Sequence, residues 1–157
     1  MTIDELRQTL LEARSTGKIG TPVALRVHVQ LQDRQANFSI AVAAVMQLAK
    51  SVLEATPIEL TARSDIDRRQ LNVLFRYAGG QTVLVTLGRG AVSAASLQLL
   101  LVGNHGVVRL AGGDGFDERS LTAGDDVDRW NSWIDNSLSR GATVSLDVPG
   151  EDDSVRI

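Results

Sequence analysis

The residues best suited to move a proton near neutral pH are the two histidines, His28 and His105. Neither has a titratable neighbour at a useful spacing. His28 lies between Arg26 and Gln30 in a run that alternates apolar and polar residues. It reads as a surface or interface side chain, with a ligand or acid/base role as the sharper alternative. His105 stands in a Gly-Asn-His-Gly turn, and no second histidine lies at metal-ligand spacing. The acidic run Asp114, Asp117, Glu118, Asp125, Asp126 and Asp128 invites a calcium site, but it lacks the alternating carboxylates and closing Glu of an EF-hand loop. Asp125 or Asp126 reads more simply as a helix cap. Asp65, Asp67, Arg68 and Arg69 form a charged turn. Ser39 and Ser93 have no partnered histidine, so nucleophilic catalysis has no support. Trp130 and Trp133 suit stacking on a sugar or base, but at helical spacing beside Val127 and Ile134 at least one belongs to a core. The chain has no cysteine, which excludes disulfides, thiolate metal sites and a Cys nucleophile. No catalytic, cofactor-binding or metal-ligating residue is assigned on these grounds, and no cofactor is expected.

The elements that must position these residues are clearer than the chemistry. Thr2 and Glu5 have capping-box spacing ahead of Ile3, Leu6, Leu10 and Leu11, and Gly17 and Gly20 close that helix. In PVALRVHVQLQ, Val23, Leu25, Val27, Val29 and Leu31 alternate with polar partners, the signature of a strand with one buried face. Residues 38–55 are rich in Ala, Leu and Met and apolar nearly all round. They form a buried helix, capped by Asn37 or Ser39 and stopped by Thr56-Pro57. Strands follow. Ile58, Leu60 and Ala62 alternate in one. Leu71, Val73, Phe75 and Tyr77 pair across an AGGQ turn with Val83, Val85 and Leu87. SLQLLLVG and VVRL pair across GNHG. Val127, Trp130, Ile134 and Leu138 share a face of a last helix ended by Gly141, and Val144, Leu146 and Val148 close the chain as a short strand. Residues 149–157 read as a loose acidic tail. Strands joined by hairpins are antiparallel. The predicted class is α+β, a mostly antiparallel open-faced sheet with helices packed on one face, in one domain over 1–157.

Composition narrows the partners. A length of 157 residues suits one domain with a real core. No apolar run approaches the ~18–20 residues of a membrane span, and the start is not a signal peptide, so the expected setting is cytoplasmic. A net charge of −3 gives no electrostatic footprint for nucleic acid.

The ordered set of motifs resembles one family. Gly17-Lys18-Ile19-Gly20-Thr21-Pro22 with Val23 is similar to the join between the two domains of the glucose-fructose oxidoreductase / inositol dehydrogenase (Gfo/Idh/MocA) family. The 38–55 helix with PIELTAR, the hairpin LNVLFRYAGGQTVLVTLG, the hairpin LQLLLVGNHGVVRL and the closing WNSWIDNSLSRGATVSL resemble its second domain in the same order. The resemblance implies that helix 1–16 is equivalent to the end of the family's nucleotide domain. That domain carries a Gly-x-Gly-x-x-Gly fingerprint and a catalytic Lys, and this sequence has no copy of the fingerprint. The family's Asp and acid/base His on the central helix fall near Ile40 and Ala44, and nothing from Phe38 to Ala49 titrates near neutral pH. The expectation is a C-terminal-type domain without its nucleotide domain and not an enzyme on its own.

Helices cover one side of such a sheet. The other side shows Arg26, His28, Gln30, Arg63, Leu74, Arg76, Leu84, Leu100 and Val102 as a candidate interface. In the resembled family this face meets the same face of a second subunit. The leading expectation is an oligomerisation or interaction module: a homodimer through the sheet, or a partner subunit for a separate Rossmann-domain chain, with no nucleic acid or membrane. The alternative is a small-molecule binder of sugar or polyol type in a relic substrate cleft. A third reading is an enzyme with new chemistry at His28 or His105. Ala41, Ala43, Ala44 and Ala49 predict close packing at the central helix, which favours assembly.

Overall fold

Alternation along the strands builds the molecule. A computed structural model describes residues 1–32, 37–90, 92, 94–111, 116–122 and 126–146. Among them are helices α1 (Ile3–Ser15), α2 (Phe38–Leu53) and α3 (Val127–Arg140), with a short 3-10 turn at Glu118–Ser120. The strands are β1 (Pro22–Gln32), β2 (Pro57–Ser64), β3 (Gln70–Tyr77), β4 (Thr82–Gly90), β5 (Ser96–Gly103), β6 (Val107–Ala111) and β7 (Val144–Ser145). They form one seven-stranded sheet in the order β6-β5-β1-β4-β3-β2-β7. Both expected hairpins are present, β3–β4 and β5–β6. The first strand lies between them, antiparallel to β5 and parallel to β4, the one parallel pair of this otherwise antiparallel sheet. The fold is α+β, with helices on one side: α2 packs on β1 and β4, α3 on β2, and α1 on α2 and β6.

Inward residues make a continuous aliphatic core. Leu25, Val29, Val73, Phe75, Val83, Val85, Leu87, Leu97 and Leu101 are fully buried. Val42, Val45, Leu48, Ala49 and Val52 of α2 meet them from above, also fully buried. Each such Leu or Val contributes about 1.5–3 kcal/mol relative to exposure. The all-round apolar character of α2 follows from its place, with the sheet beneath and α1 and α3 beside it.

Two apolar residues depart from the simple alternation. Val23 and Ile58 belong to the inward sets by period, yet they are 40% and 49% exposed. Each follows a proline that opens a strand, and the pairing register shifts there, between Pro22 and Ala24 and between Pro57 and Glu59. Proline lacks the N–H the ladder needs. The strand starts with an irregular step in which the proline takes the buried place and the next residue turns out.

Helix ends follow local chemistry with two corrections. Thr2 Oγ1 accepts from the Glu5 N–H at 3.2 Å, and Asn37 Oδ1 accepts from the Ser39 and Ile40 N–H groups at 2.9 and 3.3 Å. Gly17 and Gly141 take positive φ after α1 and α3. α2, however, ends at Glu54, which adopts the left-handed conformation at φ +54° ahead of Thr56-Pro57. At α3, Asp126 occupies the cap position but makes no side-chain cap bond, pairing instead with Arg129 at 3.3 Å. Asp125, Val148 and the 149–157 tail lie outside the described residues.

Candidate functional site

The uncovered face is ordered in rows that run across the strands. The middle row reads Arg109, Leu100, Arg26, Leu84, Leu74 and Thr61, from β6 to β2. On one side lie Val107, Val102, Ala24, Thr82, Arg76 and Glu59. On the other lie Ala111, Gln98, His28, Thr86, Asn72 and Arg63. All nine sequence-selected interface residues fall in these rows or, for Gln30, on the same face of β1. Leu74 is 37% exposed and Val107 53% exposed, while Leu84, Leu100 and Val102 are half-buried.

These residues are not equivalent. The Arg63 guanidinium donates to the Ala62 and Gly141 carbonyls at 2.9 and 3.3 Å, so it closes the end of α3. Arg76 pairs with Glu59 at 3.4 Å. Gln30 lies over Gly88, where a side chain on the neighbouring strand would collide with it. Arg26 and Arg109, by contrast, have no hydrogen-bond or ion-pair partner among the described residues. They flank Leu100 and, with His28, Leu84 and Gln98, line a shallow concavity of about 430 Å³. Arg109 was not singled out in the sequence. Its signal was the alternation of Val108 and Leu110, which pack on the core, with outward Arg109.

The other candidates have structural partners. The His105 N–H donates to the Ile19 carbonyl at 2.9 Å, and Asn104 exchanges bonds with Thr21, accepting its N–H on Oδ1 at 2.9 Å and donating its own N–H to the Thr21 carbonyl at 3.0 Å. The two glycine-bracketed turns, 17–20 and 103–106, thereby lock together. Gly20 sits at φ +72° against the Asn104 side chain, and Gly103 has the Ile19 carbonyl where a Cβ would stand. Asp65 Oδ1 accepts from the Arg69 and Gln70 N–H groups at 2.8 and 3.1 Å and so shapes its own exposed turn. Ser39 donates to Asn131 Oδ1 at 2.7 Å. Asp117 caps the 3-10 turn through the Arg119 N–H at 3.0 Å. Asp114 and Ser93 lie outside the described residues. Among the described residues no three His, Asp or Glu side chains gather in a way that suits a metal ion. No described helix is long and apolar enough to cross a membrane.

The central helix shows close packing. Ala41, Ala43, Ala44 and Ala49 are all at most 4% exposed, and Ile40 is half-buried. Ala44 borders a hollow with Arg7, Gln47 and Ser120, where Arg7 is bound to Asp4 at 2.9 Å. On the other flank of α2 a second hollow of about 160 Å³ holds both tryptophans and Tyr77. Trp130 stands edge-on to Phe75 at 5.4 Å and to Trp133 at 5.1 Å. Burial pushes the Tyr77 phenol above its ordinary value. The Arg14 guanidinium, which donates to Glu54 at 3.0 Å, holds that carboxyl below the usual range.

No family model matches the sequence, and no curated protein does. Solved structures do. A probable dehydrogenase from Thermotoga maritima superposes with a TM-score of 0.70 at 15% identity, over 91% of this chain and 62% of its own. Scyllo-inositol dehydrogenase from Lactobacillus casei, solved with NAD(H) and scyllo-inositol, gives 0.69 at 9% identity, over 88% and 61%. Myo-inositol 2-dehydrogenase from Lactobacillus plantarum gives 0.66 at 12%, over 90% and 61%. The chain thus spans about three fifths of the length of these structures. Its fold is that of the C-terminal α+β domain of the Gfo/Idh/MocA-type dehydrogenases.

Proposed function

We propose that this domain is an interaction module that pairs with a second copy of itself through the open face of the sheet. The observation that carries this reading is the mixed row Arg109–Leu100–Arg26–Leu84–Leu74, left uncovered across the middle of the sheet. β4 is the central strand of the seven. A two-fold axis along β4 lays the β5 and β1 side of one copy on the β3 and β2 side of the other. Arg26 then meets Leu74, His28 meets Asn72, and Arg109 meets the neighbourhood of Thr143. The unpaired cations of one half avoid each other, and Glu59 lies opposite Val102 with its own Arg76 beside it. An isologous contact of this kind presents the same patch on both copies. Catalysis by the chain alone has little support, since the places of the family's Asp and His hold Ile40 and Ala44.

Light scattering on a sizing column at two protein concentrations tests this. The expected species is twice the 16.9 kDa chain, and Leu84→Arg returns it to 16.9 kDa with its circular dichroism unchanged. A wild-type protein that stays at one chain mass across both concentrations overturns the reading. A separate nucleotide-binding chain would then be the next occupant to test.

A further inference from the structure

The concavity on the β6 side of the open face is basic and unopposed. Arg26, His28 and Arg109 line it together with Gln98, and no described carboxylate does. Among the described residues of the three rows the acid is Glu59, which is held by its own Arg76 at 3.4 Å. Pairing through this face takes Arg26 and Arg109 out of water, and a guanidinium desolvated without a counter-charge is costly. The assembly therefore needs acid from elsewhere on the partner copy. The sequence supplies it beyond Leu146, in residues 147–157, which lie outside the described part of the chain. There Asp147, Glu151, Asp152 and Asp153 stand against one cation, Arg156.

We propose that residues 147–157 of one copy dock in the basic concavity of the other, with Glu151, Asp152 and Asp153 at Arg109 and Arg26. The inference rests on the face-to-face reading and adds what closes that interface at its two ends. Strand order gives the direction. β6 and β7 are opposite edges of the sheet, equally far from β4. A two-fold axis along β4 thus sets β7 of one copy over β6 of the other. Ser145 is level with Glu59, in the row of Val107, so the chain leaves β7 over the residue two before Arg109. Facing sheets lie about 10 Å apart, which a few residues span. Within its own copy the segment would cross six strand spacings to reach β6, about 29 Å. Asp153 extends at most about 25 Å from Leu146. A segment folded back over its own sheet therefore stops short of the β6 backbone.

Sedimentation equilibrium at low and high salt reads the dimer dissociation constant of the full chain. The proteins compared are wild type, Arg109→Gln, the triple variant Glu151→Gln, Asp152→Asn and Asp153→Asn, and the two combined. Each variant should dimerise about tenfold more weakly, and the combination no more weakly than either, because both remove one contact. Salt should weaken the wild-type dimer more than it weakens the variants. Arg109 has no other partner among the described residues, so Arg109→Gln should keep its melting temperature where both proteins are monomeric. That separates lost docking from lost fold. A wild-type dimer matched by the triple variant overturns this inference and leaves the face-to-face reading standing. So do effects that multiply in the combined protein, or a triple variant that dimerises more tightly, which would put the segment on its own sheet. A wild-type chain that stays monomeric overturns both readings.

Discussion

Two faces of one sheet alternate residue by residue, and they are built on different terms. On the covered face Val83, Val85 and Leu87 of β4 are fully buried among other aliphatic side chains. On the open face their neighbours Thr82, Leu84 and Thr86 are half-buried and meet polar and charged groups in rows. The covered face is almost wholly aliphatic, with the Ser137 hydroxyl buried against β2. The open face carries guanidinium groups one residue from the core, Arg26 between Leu25 and Val27. A single position along β4 therefore separates a core residue from an open-face residue.

The sharpest way to break that contrast is to place the same charge on both faces. Val85→Arg forces a cation into a site with no counter-charge, and the effective cost of several kcal/mol per buried ion is a large share of the ~5–15 kcal/mol that holds a domain together. Circular dichroism should show an unfolded or aggregated chain. Leu84→Arg, one residue away, should fold with a melting temperature within a few degrees of wild type. If the two variants behave alike, the division of the sheet into two faces is wrong.

A smaller effect compares the polar bonds of the two faces. Ser137 is fully buried; its Oγ accepts the Ala62 N–H at 2.8 Å and donates to the Ala142 carbonyl at 2.6 Å. It ties α3 to β2. Ser137→Ala leaves a buried N–H without a partner and should cost about 1–3 kcal/mol, read as a lowered melting temperature or denaturant midpoint. Thr61 Oγ1 and Thr143 Oγ1 lie 2.7 Å apart in an exposed setting. Thr61→Ala should cost well under half as much, because water replaces the bond.

Tyr77 gives the covered face a pH signature. It is the chain's single tyrosine, so absorbance near 295 nm titrates it alone. Its phenol is raised above 10.0 by burial. The unfolded chain then ionises first as pH rises. Stability is full below the unfolded value of about 10 and falls progressively above it. The phenolate should appear above pH 10 and together with loss of near-ultraviolet dichroism. A free titration at the ordinary value with the fold intact would place the ring in water.

Much of the molecule was legible in the residues. Period-2 alternation located seven strands and both hairpins, and Gly17 and Gly141 marked helix ends, because these depend on neighbours in sequence. The insertion of β1 between β4 and β5 was not legible. Strand order is decided by non-local pairing, and alternation is indifferent to which neighbour satisfies the ladder. The outward turn of Val23 and Ile58 depends on register against a partner strand, so periodicity alone placed both on the wrong face. For the site, the open-face residues were found because outward residues on a one-sided sheet declare themselves. That Arg63 closes a helix and Gln30 rests on Gly88, leaving Arg26 and Arg109 unpaired, required the contacts. Tyr77 read as an ordinary inward residue. That its buried hydroxyl has no hydrogen-bond partner among the described residues depends on what α2 and α3 fail to bring to it.

The smallest effect expected concerns a pair outside both faces. Arg14 at the end of α1 donates to Glu54 after α2 at 3.0 Å, linking two helices at the surface. The hydrogen bond and the nearby charge lower the Glu54 carboxyl below 4.5, and burial opposes this only weakly. The sign follows from linkage: the folded state prefers the ionised carboxylate, so its contribution is present above about pH 4.5 and is lost as pH falls through the lower folded value. Glu54→Gln removes that contribution while keeping the side chain's shape. Its melting temperature should trail wild type slightly at pH 7, and the two should converge at acid pH. Because the carboxylate is exposed, the gap should shrink further in high salt. A gap that persists at acid pH would show that the ionised carboxylate is not its source.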